Sequence, residues 1–286
     1  MSAQSILFEL GTEELPAGEY ESMAKALASG VALGLGQHGL TIGAVKVLAT
    51  ARRLSVLIEK VEERADDTEQ EILGPPVAAA RADDGSWTPA AIGFAKKQGM
   101  SADELQIIQT EKGDRLGIRK VAKGALCTDV LPAVVSQAVD GIPVSKRMRW
   151  GRARHEFLRP VQWLVLLYGA EAIDVSLFGL SSGRISRGHR FHGQSSVTIP
   201  HADAYEATLR EQFVIASVDE RKARIKTQIA QLASNNERVI VDENLLAEVT
   251  GLVEWPVALR GGFDESFLSV PRQALISSMR EHQKYF

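Results

Sequence analysis

The stretch from Lys146 to Trp163, KRMRWGRARHEFLRPVQW, sets Lys146, Arg147, Arg149, Arg152, Arg154 and Arg159 against a single acid, Glu156. A second basic patch, GRISRGHRFHG, carries Arg184, Arg187 and Arg190 beside His189 and His192. The whole chain holds 33 Lys and Arg against 36 Asp and Glu, so this positive charge is local. Like charges packed together cost folding energy unless an anionic partner takes them up. Trp150, His155, Phe157 and Trp163 lie among the cations, and flat rings beside Arg suit an RNA-contacting surface. The chemistry on offer is non-covalent recognition of a polyanion. A solvated face whose Arg stems cover apolar neighbours fits the same pattern.

Covalent, metal and nucleotide chemistry find less support. GLGQHGL, from Gly34 to Leu40, ends a helix instead of opening one after a strand, so it is not a phosphate loop. No H-E-x-x-H and no paired cysteine ligands occur. His189, His192 and His201 could ligate a metal, but no carboxylate lies near the first two in sequence, and hydrogen-bonding or stacking roles fit them better. Glu9, Glu13 and Glu14 could hold hydrated magnesium. Thr12 as a helix cap, with Glu13 and Glu14 at the positive end of the helix, accounts for them with less. A hydrolase needs a nucleophile with its base, or paired carboxylates, and no spacing singles out such a set. Cys127, the one cysteine, sits in the apolar, helix-like KGALCTDVLPAVV and reads as a small buried residue.

The elements that would position these residues are short and mixed. Ile6–Leu10 reads as a strand, and Tyr20, Met23, Leu27, Val31 and Leu35 recur at helical spacing up to Gly36 and Gly39. Val45–Ala49 and Leu54–Ile58 read as strands around the turn at Thr50 to Arg53. Glu62 to Glu71 is charge-rich and reads as a linker, and Gly74-Pro75-Pro76 as a stop. A turn at Asp83-Asp84-Gly85, a helix over Ala90–Lys97, strands Gln106–Thr110 and Leu116–Val121 around Lys112-Gly113-Asp114, and a helix over Thr128–Val139 follow. Beyond the basic stretch, Val161–Tyr168 is a nearly all-apolar, central strand. Ala172–Leu177, Val197–Ile199, Val239–Val241, Leu252-Val253 and Val257–Leu259 are further strands. Ala202–Arg210 and a helix begun by Ser217 are helical, the second with Ile225, Ile229 and Leu232 on one face. Its Arg221, Lys222, Arg224 and Lys226 fall mostly on the other face, which is solvated or touches RNA. Pro271 to Phe286 reads as a helix, and its stop on Tyr285-Phe286 suggests a longer polypeptide.

The expected fold is α+β, in several small mixed modules with largely antiparallel or mixed sheets and packed helices. Residues 1–62 form a strand–helix–strand–strand module, 63–145 a small α+β insertion, and 146–286 an α+β RNA-binding or assembly region cut at its last helix. A net charge of −3 argues against a general nucleic-acid coat, so any RNA contact is local and salt-sensitive. One cysteine rules out an internal disulfide and suits a cytoplasmic location. No apolar run is long enough to span a membrane, and MSAQSILFELGTEELPA lacks the basic start of a signal peptide.

Several segments together resemble the bacterial glycyl-tRNA synthetase beta subunit. They are FELGTEELPA, TARRLSVLI from Thr50 to Ile58, KRMRWG with FLRPVQWLVLLYG, GHRFHG, and EVTGLVEWPVALRGGFDESFLSVP leading into MREHQKYF. They run from residue 8 to the last residue in the family's order. The resemblance is to the N-terminal part of that subunit, without its helical HD-type and anticodon-binding domains. It implies a cytoplasmic alpha2beta2 glycine–tRNA ligase, with partners in an alpha subunit, a second beta subunit and tRNA(Gly). ATP and magnesium are then expected at the alpha subunit, which activates glycine, and no cofactor or catalytic residue in this chain. The beta subunit recognises tRNA and supports aminoacyl transfer, and the fragment alone is expected to be inactive. Lys146, Arg147, Arg149, Arg152, Arg154, Arg159, Arg184, Arg187 and Arg190 are the candidate RNA contacts. Two alternatives stay open: a scaffold for the alpha subunit, since interfaces also favour aromatics and Arg, and an editing-type hydrolase.

Overall fold

The computed structural model describes residues 3–82, 85–111, 113–152, 154–234 and 239–286. Its first half runs β1 (Gln4–Thr12), α1 (Tyr20–Gln37), β2 (Val45–Thr50), β3 (Arg53–Val61), β4 (Thr68–Pro76), α2 (Pro89–Lys97), β5 (Gln106–Ile108), β6 (Arg115–Ala122) and α3 (Cys127–Asp140). Short strands follow: β7 (Met148–Arg149), β8 (Glu156–Phe157), the longer β9 (Val161–Tyr168), β10 (Glu171–Ala172), β11 (Ser176–Leu177), β12 (Leu180–Ser181), β13 (Ile185–Ser186) and β14 (Val197–Thr198). The chain closes with α4 (Tyr205–Glu211), α5 (Val218–Leu232), α6 (Glu243–Leu252) and α7 (Arg272–Gln283). The fold is α+β, with small antiparallel sheets and packed helices. Two compact units form, one from Met1–Glu63 with Leu126–Phe286, the other from Arg64–Ala125.

The larger unit is built on an antiparallel sheet of order β10-β9-β1-β3-β2. β1 is buried on both faces, which is why it reads as an unbroken apolar run around Glu9. Leu7 sits opposite Leu57 on β3 and Leu167 on β9, and all three join a cluster completed by Tyr205 and Leu209 of α4. Ile6, Phe8 and Leu10 alternate onto the other face and are fully buried. The α1 stripe of Tyr20, Met23, Leu27, Val31 and Leu35 is buried as its spacing predicts. Gly36 lies inside this helix, and Gly39 ends it, with φ at 75° and the Leu40 amide donating to Leu35 O at 3.2 Å.

α3 packs against α1, although it falls in the stretch that the sequence allots to an insertion. Its Cys127 is buried, and burial pushes the thiol up to about 12. A thiol reagent at pH 8 should therefore react with the folded chain on the order of a thousandfold more slowly than with the urea-unfolded chain. Equal rates would contradict that placement.

The smaller unit is a sheet of order β4-β6-β5 with α2, over a minor core of Ala80, Ala91 and Leu116. Part of the expected charged linker is strand, because β4 begins at Thr68. Pro75 and Pro76 do not stop the chain before the sheet. They end β4 beyond a register shift between Leu73 and Pro76, where a missing N–H breaks no ladder bond. Asp83 and Asp84 of one expected turn, and Lys112 of the other, lie outside the described residues.

The expected strands at Val239–Val241, Leu252-Val253 and Val257–Leu259 do not form. Asp242 instead caps α6, accepting from the amides of Asn244 at 2.8 Å and Leu245 at 3.0 Å, and Leu245 and Leu246 are buried. A good cap with two buried leucines outweighs the β preference of short valine runs. Ala172–Leu177 is likewise divided between β10 and β11.

Candidate nucleic-acid interface

β7 and β8 form a two-stranded hairpin, with Met148 opposite Phe157 and Arg149 opposite Glu156. Arg149 and Glu156 make a cross-strand ion pair, so Arg149 is partly neutralised. Lys146, Arg147, Arg152 and Arg154 are exposed, and none has an acidic partner among the described residues. The rings beneath them do not face outward as free stacking surfaces. Trp150, His155 and Phe157 gather around Phe178, at centroid distances of 5.9, 6.2 and 5.6 Å, and so fix the hairpin to the turn between β11 and β12.

The other basic candidates are bound into the fold to different degrees. Arg159 is half-buried and donates to Leu158 O at 2.9 Å. Arg184 donates to Ala170 O at 2.8 Å. Arg190 pairs with Glu13 at 2.8 Å and Glu14 at 2.7 Å. Glu13 and Glu14 therefore do not serve α1, which begins later, at Tyr20. Thr12 does not cap α1 either, because it closes β1 as a buried residue. Arg187 is half-buried, with its guanidinium 4.8 Å from the centre of the Trp163 ring.

His189 and His201 act as hydrogen-bond acceptors. His189 Nδ1 accepts from the amides of Phe191 and His192, both at 3.2 Å, and its ring stacks on His192 at 4.7 Å. His201 Nδ1 accepts from the Asp203 amide. Among the described residues no group of three His, Cys, Asp or Glu is placed to hold a metal. The basic side of α5 is also occupied. Lys222 meets Glu21, Lys226 meets Glu243, and Arg224 lies 4.2 Å from the centre of the Trp255 ring. Arg221 points inward instead, fully buried, donating to Ala49 O at 2.8 Å and Thr250 O at 3.3 Å.

Beside the second basic patch, sequence reasoning missed a buried charged network. Strand register builds it. Leu7, Glu9 and Gly11 share one face of β1, and across the ladder Glu9 meets Ser55 while Gly11 meets Arg53 and Trp163. A Cβ on Gly11 would lie 1.9 Å from Trp163 Cε2, so only glycine lets the indole lie flat there. From that position Trp163 Nε1 donates to Glu9, as do Ser186 Oγ and Tyr205 Oη. Arg53 is fully buried between Glu9 at 3.8 Å and Glu254 at 3.1 Å, and donates to Arg187 O at 2.9 Å. Thr50 Oγ1 donates to Glu254 at 2.6 Å.

The charges hold one another. Burial works against ionised Arg53, yet Glu254 and Glu9 outweigh it and raise the guanidinium above its usual range. Burial would likewise lift Glu254, but Arg53, the Thr50 hydroxyl and Arg52 hold its carboxyl below the ordinary value. Burial and then Glu9 push the Tyr205 phenol well up, so it stays a donor. The only sequence signal was a carboxylate amid apolar residues in ILFELG, matched by two arginines at the turn into β3.

A family model described as the glycyl-tRNA synthetase beta subunit matches residues 6–286. Curated relatives named glycine–tRNA ligase beta subunit include those of Chromohalobacter salexigens, 46% identical over 287 residues, and Marinobacter nauticus, 42% identical over 289. The relative in Pseudomonas syringae pv. tomato is 44% identical over 287 residues. Each alignment covers the whole of this chain, which spans about two fifths of the length of these relatives, 42%, 42% and 41% respectively.

Proposed function

The chain belongs to the glycyl-tRNA synthetase beta-subunit family, and from that premise we propose that it serves a glycine–tRNA ligase as a tRNA-contacting surface. In this reading an alpha subunit activates glycine with ATP and magnesium, the assembly is alpha2beta2 in the cytoplasm, and this region supports transfer to tRNA(Gly). The observation that carries it is the hairpin: Lys146, Arg147, Arg152 and Arg154 stand exposed, without an acidic partner among the described residues, in a protein of net charge −3. Each phosphate that such a cation neutralises releases counterions, so affinity falls with salt in proportion to the phosphates met.

The test uses the complete alpha–beta complex with all four residues changed to Ala. These side chains are exposed, so the variant should keep its unfolding midpoint. Its affinity for tRNA(Gly) should drop, and the slope of log K against log salt should lessen by about one for each phosphate left without its cation. Unchanged affinity and slope would end the proposal.

A scaffold reading has its own observation. Leu259 is 86% exposed, Phe263, Phe267 and Leu268 are also exposed, and α7 buries no residue. Apolar surface of that kind suits a protein partner. Capture of the alpha subunit that survives high salt without RNA, and is abolished by changing Leu259 and Phe263 to Ser, would favour that reading.

A further inference from the structure

Arg52 follows Thr50 and Ala51 in the turn between β2 and β3, and its place is set by the sheet. Its amide donates to Thr50 Oγ1 at 3.1 Å, and its carbonyl accepts from the Thr12 amide at 2.8 Å. The residue is only 8% exposed, yet its Nε and Nη1 have no hydrogen-bond partner and no carboxylate lies in ion-pair range among the described residues. Buried donors of this kind are rare, because each carries the full cost of lost hydration.

The side chain lines a cleft of about 650 Å3, together with Arg187, His189, Arg190 and Ser195. Arg52, Arg53 and Arg187 all lie within 6 Å of the Trp163 ring centre, at 5.6, 5.6 and 4.8 Å. The two buried carboxylates, Glu9 and Glu254, both pair with Arg53. Arg190 is taken by Glu13 and Glu14. Among the described residues, Arg52 and Arg187 are left without a direct counter-ion.

The opposite wall is stiff. The loop from Gly188 to Gln194 is closed by Gly188 N donating to Gln194 O at 2.8 Å and tied down by His189 N donating to Gln212 O at 2.9 Å. A Cβ on Gly193 would sit 2.5 Å from His189 N. Past Arg187 a second cleft of about 420 Å3 continues, with Ser181, Ser195 and Ser196 on its walls. Two guanidinium groups lining one cleft can each donate to an oxygen of a phosphate, and the serine hydroxyls of the continuation, set among Leu164, Leu180 and Ile185, can meet the sugar beside it.

We propose that Arg52 and Arg187 form a subsite for one backbone phosphate of an RNA strand, which continues along the serine-lined cleft. The RNA source rests on the tRNA reading above. The phosphate chemistry rests on the cleft alone.

The experiment maps phosphorothioate-labelled tRNA(Gly) by iodine cleavage in the complete alpha–beta complex. It compares wild type with Arg52→Gln, Arg187→Gln and the four-residue hairpin variant. Arg187 is half-buried and bridges no carboxylate, so R187Q keeps the test open if R52Q unfolds. Both should expose the same one or two protected phosphates, distinct from those the hairpin variant exposes, and weaken tRNA binding on the order of tenfold. If R187Q leaves the pattern unchanged while the hairpin variant alters it, the subsite is wrong and the tRNA reading stands. If neither variant alters it, both fail. A separate arm titrates inorganic phosphate against the thermal midpoint. A rise in wild type that R187Q abolishes, beside an unchanged tRNA pattern, assigns the cleft to free phosphate and overturns the RNA source.

Discussion

Glu254→Gln should lower the free energy of unfolding by about 3–5 kcal/mol, the usual cost of removing one partner from a buried ion pair. Gln fits the same space, so the loss is electrostatic. Arg53 keeps Glu9 at 3.8 Å but loses its closer counter-charge at 3.1 Å. Thr50 Oγ1 still finds an amide oxygen to donate to, so the hydrogen bond alone cannot account for a large effect. The pH dependence has a definite sign. A carboxyl held low in the fold contributes stability above its unfolded value, near 4.3, and loses that contribution as pH falls through the folded value. The gap between wild type and variant should therefore be widest at pH 6 to 7 and narrow below about pH 4. Urea denaturation of both proteins at pH 7 and pH 3.5 measures this. A gap under about 1 kcal/mol at pH 7 would mean that Arg53 is not held by Glu254.

Gly11→Ala should act from the opposite side of the same network. The added methyl overlaps the Trp163 indole at 1.9 Å from Cε2, and its three nearest atoms all belong to that packed ring. Overpacking costs about 1–3 kcal/mol, and displacing the indole also removes its bond to buried Glu9, about 1–3 kcal/mol more. A combined loss of about 2–6 kcal/mol is expected. The displaced ring should shift its fluorescence toward that of a solvated indole. Gly18→Ala is the control, because nothing lies within 4 Å of its added carbon. If the two substitutions destabilise equally, the close approach of Gly11 to Trp163 is not what the site depends on.

Periodicity carried the helices and long strands well, because one buried face repeats whether or not its partners are known. The α1 stripe and the apolar β9 are of that kind. It failed after residue 238, where short valine runs looked like strands and a single capping aspartate decided otherwise. Charge clustering marked the stretch that holds the hairpin, but not that Glu156 pairs with Arg149 and leaves Lys146, Arg147, Arg152 and Arg154 exposed without an acidic partner among the described residues. It could not sort those from Arg184 and Arg190, since their partners Ala170, Glu13 and Glu14 are distant in the chain. The aromatic residues were read as an outward surface, but Trp163 is 7% exposed and serves Glu9. Arg52 and Arg53 passed as ordinary turn residues because neighbours in sequence do not reveal a carboxylate 201 positions away.

That separation also constrains how the protein is made. A ribosome working at about 5–20 residues per second needs roughly 10–40 s to travel from Arg53 to Glu254. During that interval β1 and β3 can already pair, yet the guanidinium between them has only Glu9 for company. In the emerging sheet Arg53 therefore has one carboxylate, and its closer one at 3.1 Å arrives only with a late segment.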